Sequence, residues 1–238
     1  MRLLHLSDLH MTDNGVEIWG TDVKGHFDRA IELIRQLDEI DGIIVTGDLS
    51  NDGSEWSYSY ISRSFKKLNI PFYCCPGNHD CIETMVDMGL CKVPNVAYIN
   101  DWKLLMLNST IHDMSRGILN ADTLSFVDSE LSKDCMPTII AFHHPPIEPG
   151  GWLNRRLLEN RDFFTKYISE KNNVKLVLYG HIHYHIQHRI GNTLFSAAPS
   201  IGYAFDKDMP KFQIAKGQEG FDIIDIHDGS IQICKMLI

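Results

Sequence analysis

Leu3-Leu4-His5-Leu6-Ser7 runs straight into Asp8-Leu9-His10, so an apolar stretch of strand length ends on a carboxylate and an imidazole. The same arrangement returns four times along the chain. Ile43-Ile44-Val45-Thr46 runs into Gly47-Asp48, and Phe72-Tyr73-Cys74-Cys75 into Pro76-Gly77-Asn78-His79-Asp80. Ile139-Ile140-Ala141-Phe142 runs into His143-His144-Pro145-Pro146, and Leu176-Val177-Leu178-Tyr179 into Gly180-His181-Ile182-His183. Short apolar runs bounded by turn residues read as buried strands. In open α/β sheets ligands bind outside the carboxyl ends of the strands. Polar clusters at five such ends are therefore expected to converge.

Between these strands the pattern changes period. Lys24–Ile40 carries Phe27, Ile31, Ile34 and Leu37 at helical spacing, and Ser54–Leu68 does the same with Tyr58, Ile61, Phe65 and Leu68. Asp122–Ser132 and a segment near Arg155–Ser169 read as two more helices. Val96–Ile99 and Lys103–Asn108 read as paired strands around Asn100-Asp101. Short strands follow at Tyr184–Arg189, Thr193–Ser196, Gly220–Ile226 and Ser230–Lys235, the last two joined by His227-Asp228-Gly229. Strands alternating with helices and closing on hairpins predict a layered α/β fold with mixed sheets. No linker, repeat or low-complexity tract divides the 238 residues, which predicts one domain over 1–238.

The clustered residue types restrict the chemistry. Asp8, His10, Asp48, Asn78, His143, His181 and His183 offer oxygen and nitrogen donors and no thiolate, a mixture that suits Mn, Fe or Zn. Asp8-x-His10 and His181-x-His183 place two side chains on one side of an extended segment. Seven donors exceed one tetrahedral zinc and suit two divalent ions sharing a carboxylate. Each cluster alone has a plain structural reading. A loop histidine commonly just hydrogen-bonds, Gly-Asn marks a turn, and Pro-Pro stops a strand. All five at strand ends favour a site.

Composition narrows the partners. There are 22 basic and 31 acidic residues, a net charge of −9, which opposes non-specific binding to nucleic acid. No apolar run is long enough for a membrane helix, and the N-terminus is too short and polar for a signal peptide. Six cysteines without a C-x-x-C pair read as reduced thiols of a cytoplasmic protein. Cys74 and Cys75 read as buried small hydrophobes. A homodimer stays open.

Asp8-x-His10, Gly47-Asp48, Gly77-Asn78-His79-Asp80, His143-His144-Pro-Pro and Gly180-His181-x-His183 resemble, in order and spacing, the calcineurin-like metallophosphoesterases. The nearest branch is that of the cyclic-nucleotide and glycerophosphodiester phosphodiesterases. The likeness spans residues 1 to about 200. It implies a four-layer α/β/β/α sandwich and hydrolysis of a small phosphodiester by metal-activated hydroxide. It implies one metal held by Asp8, His10, Asp48 and His183, and a second by Asp48, Asn78, His143 and His181. His79 resembles the family histidine that contacts the phosphate and protonates the leaving group. Asp48 and His79 are thus the catalytic candidates, with Asn78, His79 and His112 as substrate contacts. A nuclease, a phosphomonoesterase or protein phosphatase, and a non-catalytic scaffold on the same fold are the alternatives.

Other residues carry weaker readings. His144 is expected behind the donors, Asn51 either in the pocket or in a turn, and His185 and His188 on the surface. Trp19 and His26 lie in a loop where selectivity could reside. Trp152 reads either as a lid aromatic or as a packed anchor.

Overall fold

The computed structural model describes residues 1–238, except the side chains of residues 151 and 152, so the two readings of Trp152 lie outside the described residues. Eleven strands among these residues form two sheets. The first has five strands in the order β11-β10-β1-β2-β3: β1 (Arg2–Leu6), β2 (Gly42–Thr46), β3 (Phe72–Cys75), β10 (Gly220–His227) and β11 (Ser230–Leu237). Here β1, β2 and β3 are parallel, while β10 and β11 extend the sheet antiparallel. The second sheet has the order β4-β5-β6-β7-β9-β8: β4 (Asn95–Ile99), β5 (Trp102–Met106), β6 (Thr138–Ala141), β7 (Val174–Tyr179), β8 (Ile186–Ile190) and β9 (Thr193–Ala197). Strands β5, β6, β7 and β9 are parallel, flanked by antiparallel β4 and β8.

Strand periodicity explains the layers. Successive side chains point to opposite faces, and the central strands carry apolar residues at successive positions, as in Ile43-Ile44-Val45 and Ile139-Ile140-Ala141, so both faces need covering. Leu3, Ile44, Ile139, Ala141, Leu176 and Leu178 pack together between the two sheets. Their neighbours Leu4, Ile43 and Val45 meet α1 (Val23–Arg35) and α2 (Glu55–Lys66) through Phe27, Ile31, Tyr58 and Phe65. On the far side, Ile140, Phe142, Val177 and Tyr179 meet α4 (Ala121–Ser132) and α5 (Arg161–Ser169) through Val127, Leu131, Phe164 and Ile168. The result is the expected α/β/β/α sandwich. Cys74 and Cys75 are buried, as expected.

Three elements differ from the sequence reading. Helix α1 stops at Arg35, short of Ile40, because the following loop pairs with β1: Arg2 N–H donates to Asp41 Oδ2 at 2.7 Å and Asp41 N–H to Arg2 O at 2.8 Å. Helix α5 begins at Arg161 rather than near Arg155. Upstream, Leu158 N–H donates to Pro145 O at 3.0 Å and Glu159 N–H to Gly117 O at 2.7 Å, so that backbone is engaged elsewhere. Helix α3 (Ile82–Asp87) was not foreseen; six residues are too few for a periodic pattern. No helix among the described residues is long and apolar enough to cross a membrane.

Candidate metal centre and catalytic cavity

The carboxyl ends of β1, β2, β3, β6 and β7 meet at one end of the sandwich. The backbone past the strands ties them together: Asp8 N–H donates to Gly47 O at 3.0 Å, His10 N–H to Asp48 O at 2.9 Å, and Gly180 N–H to His143 O at 3.0 Å. Asp8, His10, Asp48, His181 and His183 all have positive φ, between 48° and 72°. For non-glycine residues this region is strained, and five such residues at one place mark a site whose surroundings enforce the geometry. Glycine is required beside them. Gly47 has φ +89°, and a Cβ there would lie 2.6 Å from His143 Nδ1; at Gly77 a Cβ would run into Asp48 Oδ1.

Hydrogen bonds set the tautomers. His143 Nδ1–H donates to Thr46 O at 2.7 Å and His183 Nδ1–H to Tyr203 O at 2.6 Å. His10 Nδ1–H donates to Asn51 Oδ1 at 3.2 Å. In each neutral ring Nε2 is then a lone pair. These lone pairs point at one another and at carboxylates. His10 Nε2 lies 3.2 Å from His183 Nε2 and 3.5 Å from Asp48 Oδ2. His183 Nε2 lies 3.3 Å from Asp8 Oδ1. His143 Nε2 lies 3.1 Å from His181 Nδ1, 3.3 Å from Asn78 Oδ1 and 3.4 Å from Asp48 Oδ2. His181 Nε2 is buried and has no hydrogen-bond partner among the described residues. Acceptors facing acceptors repel unless a cation lies among them, so this donor set fits divalent metal. Four overlapping groups of possible donors lie here: His143–His144–His181, Asp8–His10–His183, Asp8–Asp48–His143 and His10–Asp48–His79.

Burial and the facing carboxylates pull these rings in opposite directions. Burial pushes His10 down to about 3, and burial with the neighbouring His143 holds His181 and His144 well below the ordinary histidine value. Burial opposes charge on His143 too, but Asp48 raises it to about 9. Burial would lift the Asp48 carboxyl, yet His143 and then His10 hold it well below the carboxylate range. Asp8 is lowered, against burial, chiefly by His183. Burial and then the charge of Asp48 raise Asp80 to about 6.

Asp80 and Asn51 act from behind the donors. Asp80 accepts the backbone N–H groups of Leu49, Ser50 and Gly77 and the hydroxyl of Tyr58, fixing the Asp48 loop to the Asn78 loop. The Asn51 carbonyl accepts from His79 Nδ1 at 3.3 Å, so Asn51 orients both His10 and His79. His144 is buried, its Nδ1 2.9 Å from Ser109 Oγ, and packs against His181; its Nε2 is buried without a hydrogen-bond partner among the described residues, and with His143 and His181 it forms a further group of possible donors. His26 donates to Gly202 O and so ties α1 to the 200–203 loop.

A cavity of about 300 Å³ opens over the donors, with His79 and Asn78 on its wall. His112 does not line it: its side chain is 93% exposed and lies beside Asp113, a correction to the expected phosphate contact. His185 and His188 are not surface residues either. His185 is half-buried, its Nδ1 2.9 Å from the buried Asp222 carboxylate, and His188 Nε2 is buried. A two-residue strand period assigns a face, not what covers it. Trp19 does line the cavity, joined by Arg156, Tyr203, Phe205 and Phe212. Those four went unnoticed in the sequence. An aromatic triplet at 203, 205 and 212 on a chain stretch without periodicity was the available signal.

With this geometry in view, the chain belongs to the calcineurin-like phosphoesterase family, whose model matches residues 1–185. It is a phosphoric ester hydrolase of that family. The chain is 31% identical over 236 residues to a 3′,5′-cyclic-nucleotide phosphodiesterase of Nostoc sp., covering 96% of this chain and 89% of that protein. It is 28% identical over 241 residues to the 3′,5′-cyclic adenosine monophosphate phosphodiesterase CpdA of Haemophilus influenzae, covering 98% of this chain and 88% of that one. In fold it is similar to a dimetal phosphatase from Danio rerio, with a TM-score of 0.73, 9% identity and coverage of 99% and 95% of the two chains.

Proposed function

We propose that the chain, acting as one unit over residues 1–238, hydrolyses small phosphodiesters, 3′,5′-cyclic nucleotides foremost and glycerophosphodiesters next. One metal is assigned to Asp8, His10, Asp48 and His183, and the other to Asp48, Asn78, His143 and His181, with Asp48 shared. The observation that carries this reading is the convergence of lone pairs and carboxylates in a buried cluster at the floor of a cavity. The names of the similar proteins support the substrate class. Divalent Mn, Fe or Zn, when bound, supplies hydroxide near neutral pH and neutralises phosphoryl charge.

The protein's own groups do the rest. The His79 backbone N–H donates to Asp48 Oδ1 at 2.9 Å, which turns Oδ2 toward both His10 and His143. The His79 ring is exposed on the cavity wall and gives its Nδ1 proton to the Asn51 carbonyl. Nε2 therefore holds a second proton only as imidazolium, and that proton goes to the leaving alkoxide as the diester becomes a monoester. Asn78, beside His79, offers its amide to the phosphoryl group. A cytoplasmic location is supported by six cysteines that are all free thiols.

The test compares kcat/KM for bis(nitrophenyl) phosphate, nitrophenyl phosphate, 3′,5′-cyclic AMP, a glycerophosphodiester and single-stranded DNA under one metal and salt condition. The expected result is that small diesters lead. Faster turnover of the monoester or of DNA than of every small diester rejects the substrate class.

A further inference from the structure

An aromatic wall leads outward from the donor histidines. Tyr203 packs on His10 and His183, each with ring centroids 4.7 Å apart, and Phe205 lies flat on His183 at 4.0 Å and 6°. Trp19 follows one ring further out, edge-to-face with Tyr203 at 5.1 Å and with Phe212 at 4.8 Å. Phe205 is thus committed to holding a donor ring. Trp19 has its ring contacts with Tyr203 and Phe212 and is 64% exposed at the cavity mouth.

The way Trp19 is held sets it apart from a packing residue. Ile18 and Thr21 exchange both backbone hydrogen bonds, at 3.1 and 2.8 Å, so Ile18-Trp19-Gly20-Thr21 is a tight two-residue hairpin turn. Both central residues have positive φ, 49° at Trp19 and 73° at Gly20. Such turns favour Asn-Gly or Asp-Gly, and a bulky aromatic at positive φ is a conformational outlier. The fold therefore carries both backbone strain and exposed aromatic surface to place one indole at the mouth of the catalytic cavity.

We propose that Trp19, flanked by Phe212, is the specificity-determining residue that stacks the nucleobase of the substrate. This rests on the phosphodiesterase reading and narrows it to nucleoside cyclic phosphates. With phosphorus at the donors, the span of Tyr203 between donors and indole accommodates the sugar. The base then reaches the indole, which accepts any purine or pyrimidine because each has a π-face. A glycerophosphodiester has no flat group to place there and gains nothing from the wall.

The experiment uses the full chain with divalent metal added and three proteins: wild type, Trp19→Asn and Trp19→Phe. Asparagine suits positive φ, so the first variant keeps the turn and removes the ring, while the second keeps a ring. Loss of base stacking predicts that Trp19→Asn lowers the ratio of kcat/KM for 3′,5′-cyclic AMP to that for a glycerophosphodiester by roughly 5- to 150-fold. The loss falls on KM, and Trp19→Phe restores most of it. An unchanged ratio, or a Phe variant as impaired as Asn, overturns the proposal. Binding gives an answer independent of turnover. Wild type should bind 5′-AMP more tightly than glycerol phosphate, and Trp19→Asn should lose most of that difference; equal binding by wild type overturns the stacking role. Wild type that binds 5′-AMP selectively but hydrolyses neither diester supports the stacking role and rejects the phosphodiesterase reading.

Discussion

Asp48 is the residue on which the two halves of the donor cluster turn. Its Oδ2 faces His10 at 3.5 Å and His143 at 3.4 Å, one ring from each sheet. Every other donor is assigned to one ion. Asp48→Ala is therefore expected to deplete both metals and to lower activity further than His10→Ala, which should spare one; elemental analysis of the two purified variants checks this. Equal residual metal in both would show that Asp48 is not shared. His79 stands apart, exposed and tied through Nδ1 to the Asn51 carbonyl. His79→Ala should keep the wild-type metal content yet lose about 10²–10⁴-fold in rate on cyclic AMP. The loss should shrink for nitrophenolate esters, whose leaving group needs little protonation. Rate losses that do not depend on the leaving group would contradict an acid role.

At the level of elements, five strand ends do the positioning, and the helices hold them there. Three of the helices begin on side-chain caps: Asp22 accepts from Gly25 N–H at 2.7 Å for α1, Ser54 from Ser57 N–H at 3.3 Å for α2, and Asn120 from Thr123 N–H at 2.9 Å for α4. Helix α4 covers the second sheet through Val127 and Leu131 and carries none of the donors. Asn120→Ala should thus cost about 1 kcal/mol of stability, seen as a Tm lowered by roughly 2–4 °C, with metal content intact. A Tm drop accompanied by loss of metal would show that the helix is coupled to the site. Gly47 illustrates the tighter constraint at a strand end, where positive φ and the nearness of His143 together leave no room for a side chain.

For the whole molecule, the two sheets bury titratable groups that do not belong to the donor set. His5 is fully buried, its Nε2 2.8 Å from Thr46 Oγ1, and burial pushes it down to about 3. Thr46 Oγ1 gives its own proton to Ser7, so His5 is the donor to Thr46. The unfolded chain takes up a proton at this ring below about 6.5, whereas the folded protein does so only near 3. Stability from the neutral ring is fully present above 6.5 and is lost as pH falls from there toward 3. His5→Gln keeps a donor for Thr46 and removes the titration. Urea unfolding from pH 7 to pH 4 should show a slope against pH reduced by up to about 1.4 kcal/mol per unit. Parallel curves for variant and wild type would show that His5 is not neutral in the folded state. The net charge of −9 acts at the same scale and accords with the expected weakness of DNA as a substrate.

The donor cluster and the layered fold could be read from the chain because both are written locally. Short apolar runs bounded by turn residues announced the strands, and Asp8, His10, Asp48, Asn78, His143, His181 and His183 stand directly past their ends. Helix limits were legible less well, since Arg35 and Arg161 become ends only when the adjoining backbone finds partners in β1 and in the 117 and 145 segments. Asn51 was open between pocket and turn, and Asp80 carried no role of its own. Their orienting roles depend on loops of β1, β2 and β3 meeting in space. His112 seemed near a strand end and faces solvent, while His185 seemed exposed and is paired with Asp222 on β10. The aromatic wall depends most on the folded state. Trp19 and Tyr203 lie 184 positions apart, and no periodicity links a hairpin tip to a distant loop. Residue chemistry travels with the sequence, but contact between remote segments is set by packing the two sheets face to face, which places both of them over the same strand ends.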